Sequence, residues 1–312
     1  MEELGRSAYG FYVERFKAVW SDKLPLPLLL LVVLIGLYFV LRGGHRRWTW
    51  RATWGVFATL ILINLNLLLG PFRWLAEGRL TKSYGLAELP QVPASFWEAF
   101  PIWAIVVLGV VAGDFVDYWN HRLMHSKWFW PIHAIHHSDP DVGPLSAFRV
   151  HELEGFLMAV SYILLLTWLN LPPVALGGIA GLFLFHNMYV HTPFDWDHGP
   201  LRYLITSPRY HFWHHADVPE AHGKNLANVI PLYDVIFGTY YCPGPVGETP
   251  LGAEGVPEHN PLKLFLFPYV LWVRYLVESL RAGIRGLRHL LGLPIPAEPE
   301  ATPTPDEGGE VD

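Results

Sequence analysis

The sequence predicts an all-α integral membrane protein: three long apolar helices, a short membrane hairpin, and a helical histidine-box cap on the cytoplasmic face. Three observations predict it. Hydrophobic residues make up 52% of the 312 and charged residues only 16%, against roughly 25% charged in soluble proteins. Uncharged runs of membrane-spanning length recur along the chain. Beside those runs, eight histidines fall into three boxes, HRLMH, HAIHH and HFWHH.

The elements follow in order. Residues 1–23 form a mixed-charge N-terminal segment. Residues 24–98 hold two transmembrane helices and their loops: 24–41 carries no charge over 18 residues and 52–72 none over 21, where a hydrocarbon core needs about 20. The first run lacks a small-residue cleavage site, so it reads as a retained anchor. A histidine-box domain spans 99–243. Its first apolar run starts at residue 99 and continues through Phe115, Val116, Tyr118 and Trp119 into the first box. Between Glu154 and His186 lie 31 uncharged residues interrupted by Asn170, Leu171, Pro172 and Pro173. The prolines end a helix, so two arms of about 15 residues meet at a tip. Arms of that length are short for full spans, and a re-entrant or tilted hairpin fits equally.

Residues 244–292 comprise a linker and amphipathic helices in which Arg274, Arg281, Arg285 and Arg288 interrupt an apolar pattern. Such a pattern lies on an anionic membrane surface or packs on the domain before it. The tail, 293–312, holds six acids and no base and is expected to be disordered. Without it, basic and acidic residues balance at 22 each, so no electrostatic footprint for nucleic acid exists. One cysteine, Cys242, excludes a disulfide framework and a thiolate-bound cluster.

Orientation follows from Arg42, Arg46, Arg47 and Arg51, which stand without an acid between the first two runs and place that loop in the cytoplasm. Counting crossings, the third helix delivers residues 121–151 to the cytoplasmic face, and the hairpin returns 191–222 to it. All three boxes converge there.

In a helix, i and i+4 share a face. HxxxH therefore presents His121 and His125 together. HxxHH presents two or three of His133, His136 and His137, and likewise of His211, His214 and His215. Eight imidazoles suffice for about two metal ions. His191 and His186, at the cytoplasmic end of the hairpin's second arm, are further candidate ligands, because a histidine there is costly without a partner. Asp114, seven residues before His121, is placed to orient a ligand imidazole through its second N–H. His151 lies in RVHELE, which is not the HExxH of a zinc peptidase. Zinc fits such a cage but exchanges no electrons; iron in a water-poor site can activate dioxygen and attack an unactivated C–H bond.

The order HRLMH, HAIHHS, HTPFDWDHGPLRYLITSPRYHFWHH and KNLANVIPLYDVIFGTYY resembles the fatty acid hydroxylase and sterol desaturase superfamily over residues 101–243. The resemblance implies two iron ions on the box histidines, dioxygen as co-substrate, and hydroxylation or desaturation of a membrane lipid. It also matches Asp114, Arg149, His151 and Glu154, while LANVIP stands where an NYG-type stretch is common. No HPGG haem motif and no GxGxxG occur, so the implied electrons come from a separate cytochrome b5-, ferredoxin- or reductase-type donor. The competing readings are a membrane zinc-dependent hydrolase and a non-catalytic metal-binding membrane protein.

Overall fold

The computed structural model describes residues 89–291 continuously, together with 55, 58–62, 78–80, 82–83, 85, 87 and 293–294. The segment 1–23, the apolar run 24–41 and nearly all of the acidic tail lie outside the described residues, as does most of 52–72. Of that last run, residues 55 and 58–62 are helical.

Among the described residues the elements are helical, with one isolated antiparallel bridge, Ala216 to Leu251. In order they are α1 (Ala94–Trp97), α2 (Ile102–Met124), α3 (Trp130–His137), α4 (Glu152–Leu169), α5 (Pro173–Val190), α6 (Pro208–His214), α7 (Leu232–Phe237) and α8 (Pro261–Leu290), with 3-10 turns at Ser146–Phe148 and Gly199–Tyr203. By length and apolar composition α2, α4 and α5 are each able to cross a membrane, which marks an integral membrane protein.

Helices α4 and α5, on either side of the expected tip, are 18 residues each, longer than the sequence suggests, because α4 begins at Glu152 and α5 starts on Pro173 itself. At 1.5 Å per residue each reaches about 27 Å, near the thickness of a hydrocarbon core. Their tip turns on Asn170, which is left-handed (φ 49°) and donates its N–H to Leu166 O; asparagine tolerates that conformation. Pro173 then occupies the first position of α5, where a missing N–H costs nothing.

Packing at the tip is apolar. Trp97, Ile105, Leu169, Leu171, Ala175 and Ile179 form one buried cluster, and Trp97 Nε1 donates to Leu169 O at 2.9 Å. Helix α2 packs on both arms. It approaches α5 so closely at Gly109 that a Cβ there would clash with Ile179 Cδ1. A second cluster sets Ala58 and Leu62 against Ala134 and Ile135 of α3, with Val256 and Leu264. The outward faces of the three helices carry large exposed apolar side chains, among them Trp103, Val107, Leu164, Trp168, Val174 and Leu182.

The chain divides into two compact units, residues 1–268 and 269–312. The first holds every histidine box. In the second, the distal part of α8 exposes Val273, Leu276, Leu280, Ile284 and Leu287, a spacing of three and four that makes one stripe.

Candidate metal centre

Each box lies on or at the end of a helix whose start the sequence fixes. His121 is on the last turn of α2, with His125 as its C-cap. Pro131 sits in the first turn of α3 and Pro208 starts α6, and Ser207 Oγ caps α6 by accepting from Tyr210 N at 3.2 Å. His191 is the C-cap of α5.

These residues form two groups. His121, His125, His133, His137 and His214 make one; His136, His191, His211 and His215 make the other, and in each group the nearest-facing ligand atoms lie within 4.8 Å of one another. Both HxxHH boxes split two to one. The i and i+4 members share a group, while His136 and His214 cross to the other, because adjacent helix positions are turned by about 100°. The groups abut: His137 and His215 rings are 4.6 Å apart, and His133 and His136 rings 5.3 Å.

The Nε2 atoms point inward. In the first group His133 Nε2 lies 3.0 Å from His121 Nε2 and 3.2 Å from His137 Nε2, and the buried Nε2 atoms of His125 and His214 have no hydrogen-bond partner. In the second, His191 Nε2 lies 3.3 Å from His136 Nε2 and 3.0 Å from His211 Nε2, which is 3.1 Å from His215 Nε2. Several Nδ1 atoms point outward to oxygen acceptors: His121 to Leu226 O (2.7 Å), His133 to Glu154 Oε1 (2.9 Å), His214 to Lys224 O (2.9 Å) and His191 to Asn187 O (2.6 Å). A ring that donates from Nδ1 turns its Nε2 lone pair to the interior, as metal-bound histidines do. Burial, reinforced by neighbouring imidazoles, holds His125, His133, His136, His137, His211 and His215 well below the usual imidazole range. His214 is held low mainly by burial and His121, and burial pushes His191 down to about 4. The rings are therefore neutral at physiological pH, and nine converging lone pairs fit two metal cations of the imidazole-binding kind.

A second layer fixes the first. The segment from Lys224 to Ile230 offers its carbonyls to His214 and His121, and two carboxylates hold that segment. Asp114 accepts from the N–H groups of Asn228 (3.1 Å), Val229 (2.8 Å) and Ile230 (2.7 Å). Asp234, fully buried, accepts from Leu226 N (2.7 Å), Ala227 N (2.9 Å), Thr239 Oγ1 (2.7 Å) and Tyr210 OH; burial still leaves its pKa above the ordinary carboxylate value. Asp117 accepts from Asn228 Nδ2 at 3.0 Å. Asn225, left-handed at φ 56°, bridges Tyr210 O and Tyr241 O through Nδ2. Asp114 thus grips a loop that holds an imidazole, where the sequence suggested direct contact with one. Seven residues are nearly two turns, which sets its carboxylate beside that loop and away from the rings.

Other expected residues take other places. His186 stands outside both groups, its Nε2 2.5 Å from Thr206 Oγ1. His151 caps α4 by accepting from Leu153 N at 3.1 Å. Arg149 is buried and donates Nε to Ser138 Oγ at 2.9 Å, fixing the end of α3. The Glu154 to His133 pair and the carbonyl partners were not read from sequence. Glu154 was matched only through the family resemblance; backbone carbonyls carry no sequence signal.

Residues 106–239 match the family model for fatty acid hydroxylase. Among similar curated proteins are an ornithine lipid hydroxylase, OlsE, of Rhizobium tropici (29% identity, over 51% of this chain and 49% of that protein). Others are the alkylglycerol monooxygenase of Homo sapiens (31%, over 51% and 34%) and methylsterol monooxygenase 1-3 of Arabidopsis thaliana (31%, over 44% and 47%). The matches span about half or less of those relatives' lengths. No solved structure matches the chain significantly. The segment that carries both histidine groups is therefore a fatty acid hydroxylase-like domain, similar in sequence to enzymes of the fatty acid hydroxylase and sterol desaturase superfamily.

Proposed function

We propose that this protein is a membrane-bound, di-iron, dioxygen-dependent enzyme that hydroxylates or desaturates a lipid at an unactivated C–H bond. One observation carries the reading: nine inward-facing histidines in two adjoining groups, three of them (His121, His125 and His191) at the ends of membrane-length apolar helices. The first group would hold one iron and the second group the other. Bound iron would supply the electron exchange that dioxygen chemistry requires.

The chain's own residues supply the rest. Outward hydrogen bonds from Nδ1 fix four of the nine rings, His121, His133, His214 and His191, before metal arrives, which limits reorganisation on binding. Burial keeps bulk water from the interior. The apolar exterior of α2, α4 and α5 gives a lipid lateral access from the bilayer, so positioning a chain beside the metals needs no aqueous transfer. Relatives named for ornithine lipid, alkylglycerol and methylsterol support a lipid substrate. Electrons come from a separate donor protein, and the centre faces the cytoplasm.

Metal analysis and oxygen uptake on detergent-purified protein test this reading. Two irons per chain are expected, with oxygen uptake that requires both a reductant and a membrane lipid extract. Zinc alone, with no uptake after iron reconstitution, would sink it in favour of a hydrolase.

A further inference from the structure

The two histidine groups are unequally supported. In the first, three of five rings have an outward Nδ1 hydrogen bond: His121 to Leu226 O, His214 to Lys224 O, and His133 to the carboxylate of Glu154. In the second, His191 donates to Asn187 O, but the buried Nδ1 atoms of His136 and His215 have no partner. The supports of the first group are themselves braced. Leu226 N rests on Asp234, and the stretch after it rests on Asp114. Asn187 O, by contrast, is an ordinary carbonyl of the last turn of α5.

Such outer hydrogen bonds orient a ligand ring and raise its basicity, and losing one typically costs 10–100-fold in metal affinity. An ionised carboxylate acceptor does this most strongly, since its bond to imidazole is then charge-assisted. The first group also offers five donors against four.

We propose that the two positions load in order: the five-histidine group takes metal first and tightly, and the four-histidine group takes it second, at least about 10-fold more weakly, and exchanges it. Rings with free Nδ1 atoms are less firmly aimed, so the second position is also where metal is lost first and where a wrong metal is most easily replaced. This rests on the reading of both groups as metal sites.

The test is a titration of metal-free, full-length protein in detergent with Co(II), followed by its visible absorption and by competition with a chelator of known affinity. Two equivalents are expected, the second weaker by about 10-fold or more. Glu154→Gln should weaken the first equivalent by about 10-fold and leave the second where it was. His215→Ala should abolish only the weak equivalent. Two equivalents of equal affinity in the wild type overturn the ordering and spare the metal reading, as does loss of the tight equivalent in His215→Ala. Fewer than two equivalents in folded wild-type protein overturn the metal reading itself. Helical circular dichroism and a monodisperse elution profile establish folding for each variant. If Glu154→Gln fails to fold, the wild-type competition and His215→Ala still decide.

Discussion

His214 has a role at residue scale that its neighbours do not share: it leaves its own box to complete the first group. His214→Ala is expected to lower metal affinity at that group by about 10-fold or more, read as metal content after dialysis against chelator; full retention would remove it from the ligand set. Asp234 is a different kind of target, touching no imidazole. It accepts four hydrogen bonds, and Asp234→Asn turns an amide toward two of those donors. A loss of about 2–5 kcal/mol is expected, measurable as a shift in thermal unfolding, and an unshifted transition would show that the loop does not depend on it. The sequence reveals the candidate ligands because imidazoles at helical spacing are conspicuous. It conceals much of what aims them, because Leu226, Lys224 and Asn187 act through carbonyls that every residue owns.

At the scale of elements, the break from Asn170 to Pro173 was legible, but the lengths of the helices on either side of it were not. A helix whose first turn carries Glu152 and Glu154 reads as loop in an uncharged-run count, although acids favour a helix start. The α2–α5 contact rests on Gly109. Gly109→Val should destabilise by about 1–3 kcal/mol through overpacking against Ile179, measured by unfolding in mixed micelles. Unchanged stability would mean the helices separate freely. Helix α8 combines its exposed stripe with Arg274, Arg281, Arg285 and Arg288 along the same length, the pattern of a helix seated at an anionic lipid surface. A fluorophore on Leu280→Cys should be quenched by brominated lipid in anionic vesicles, and equal quenching by aqueous iodide would contradict that seat.

For the whole molecule, the predicted topology puts the boxes on the cytoplasmic face. The basic residues that argue for it, Arg42, Arg46, Arg47 and Arg51, lie outside the described residues. The loop holding Glu254 adjoins the centre, since Gly252 N donates to His215 O at 3.1 Å. With Cys242→Ser as background, Glu254→Cys should react with an impermeant thiol reagent only after cells are permeabilised; labelling of intact cells would invert the orientation. The division of each HxxHH box between two groups has a consequence for how such a protein can change. Helices α3 and α6 act like two rivets driven through both plates at once, so the separation of the two centres is set by the step from one residue to the next along a helix. Loops can lengthen and lipid-facing side chains can turn over without touching it. A single residue inserted between His133 and His136, however, would swing the rings beyond it by about 100° and unfasten both centres in one event.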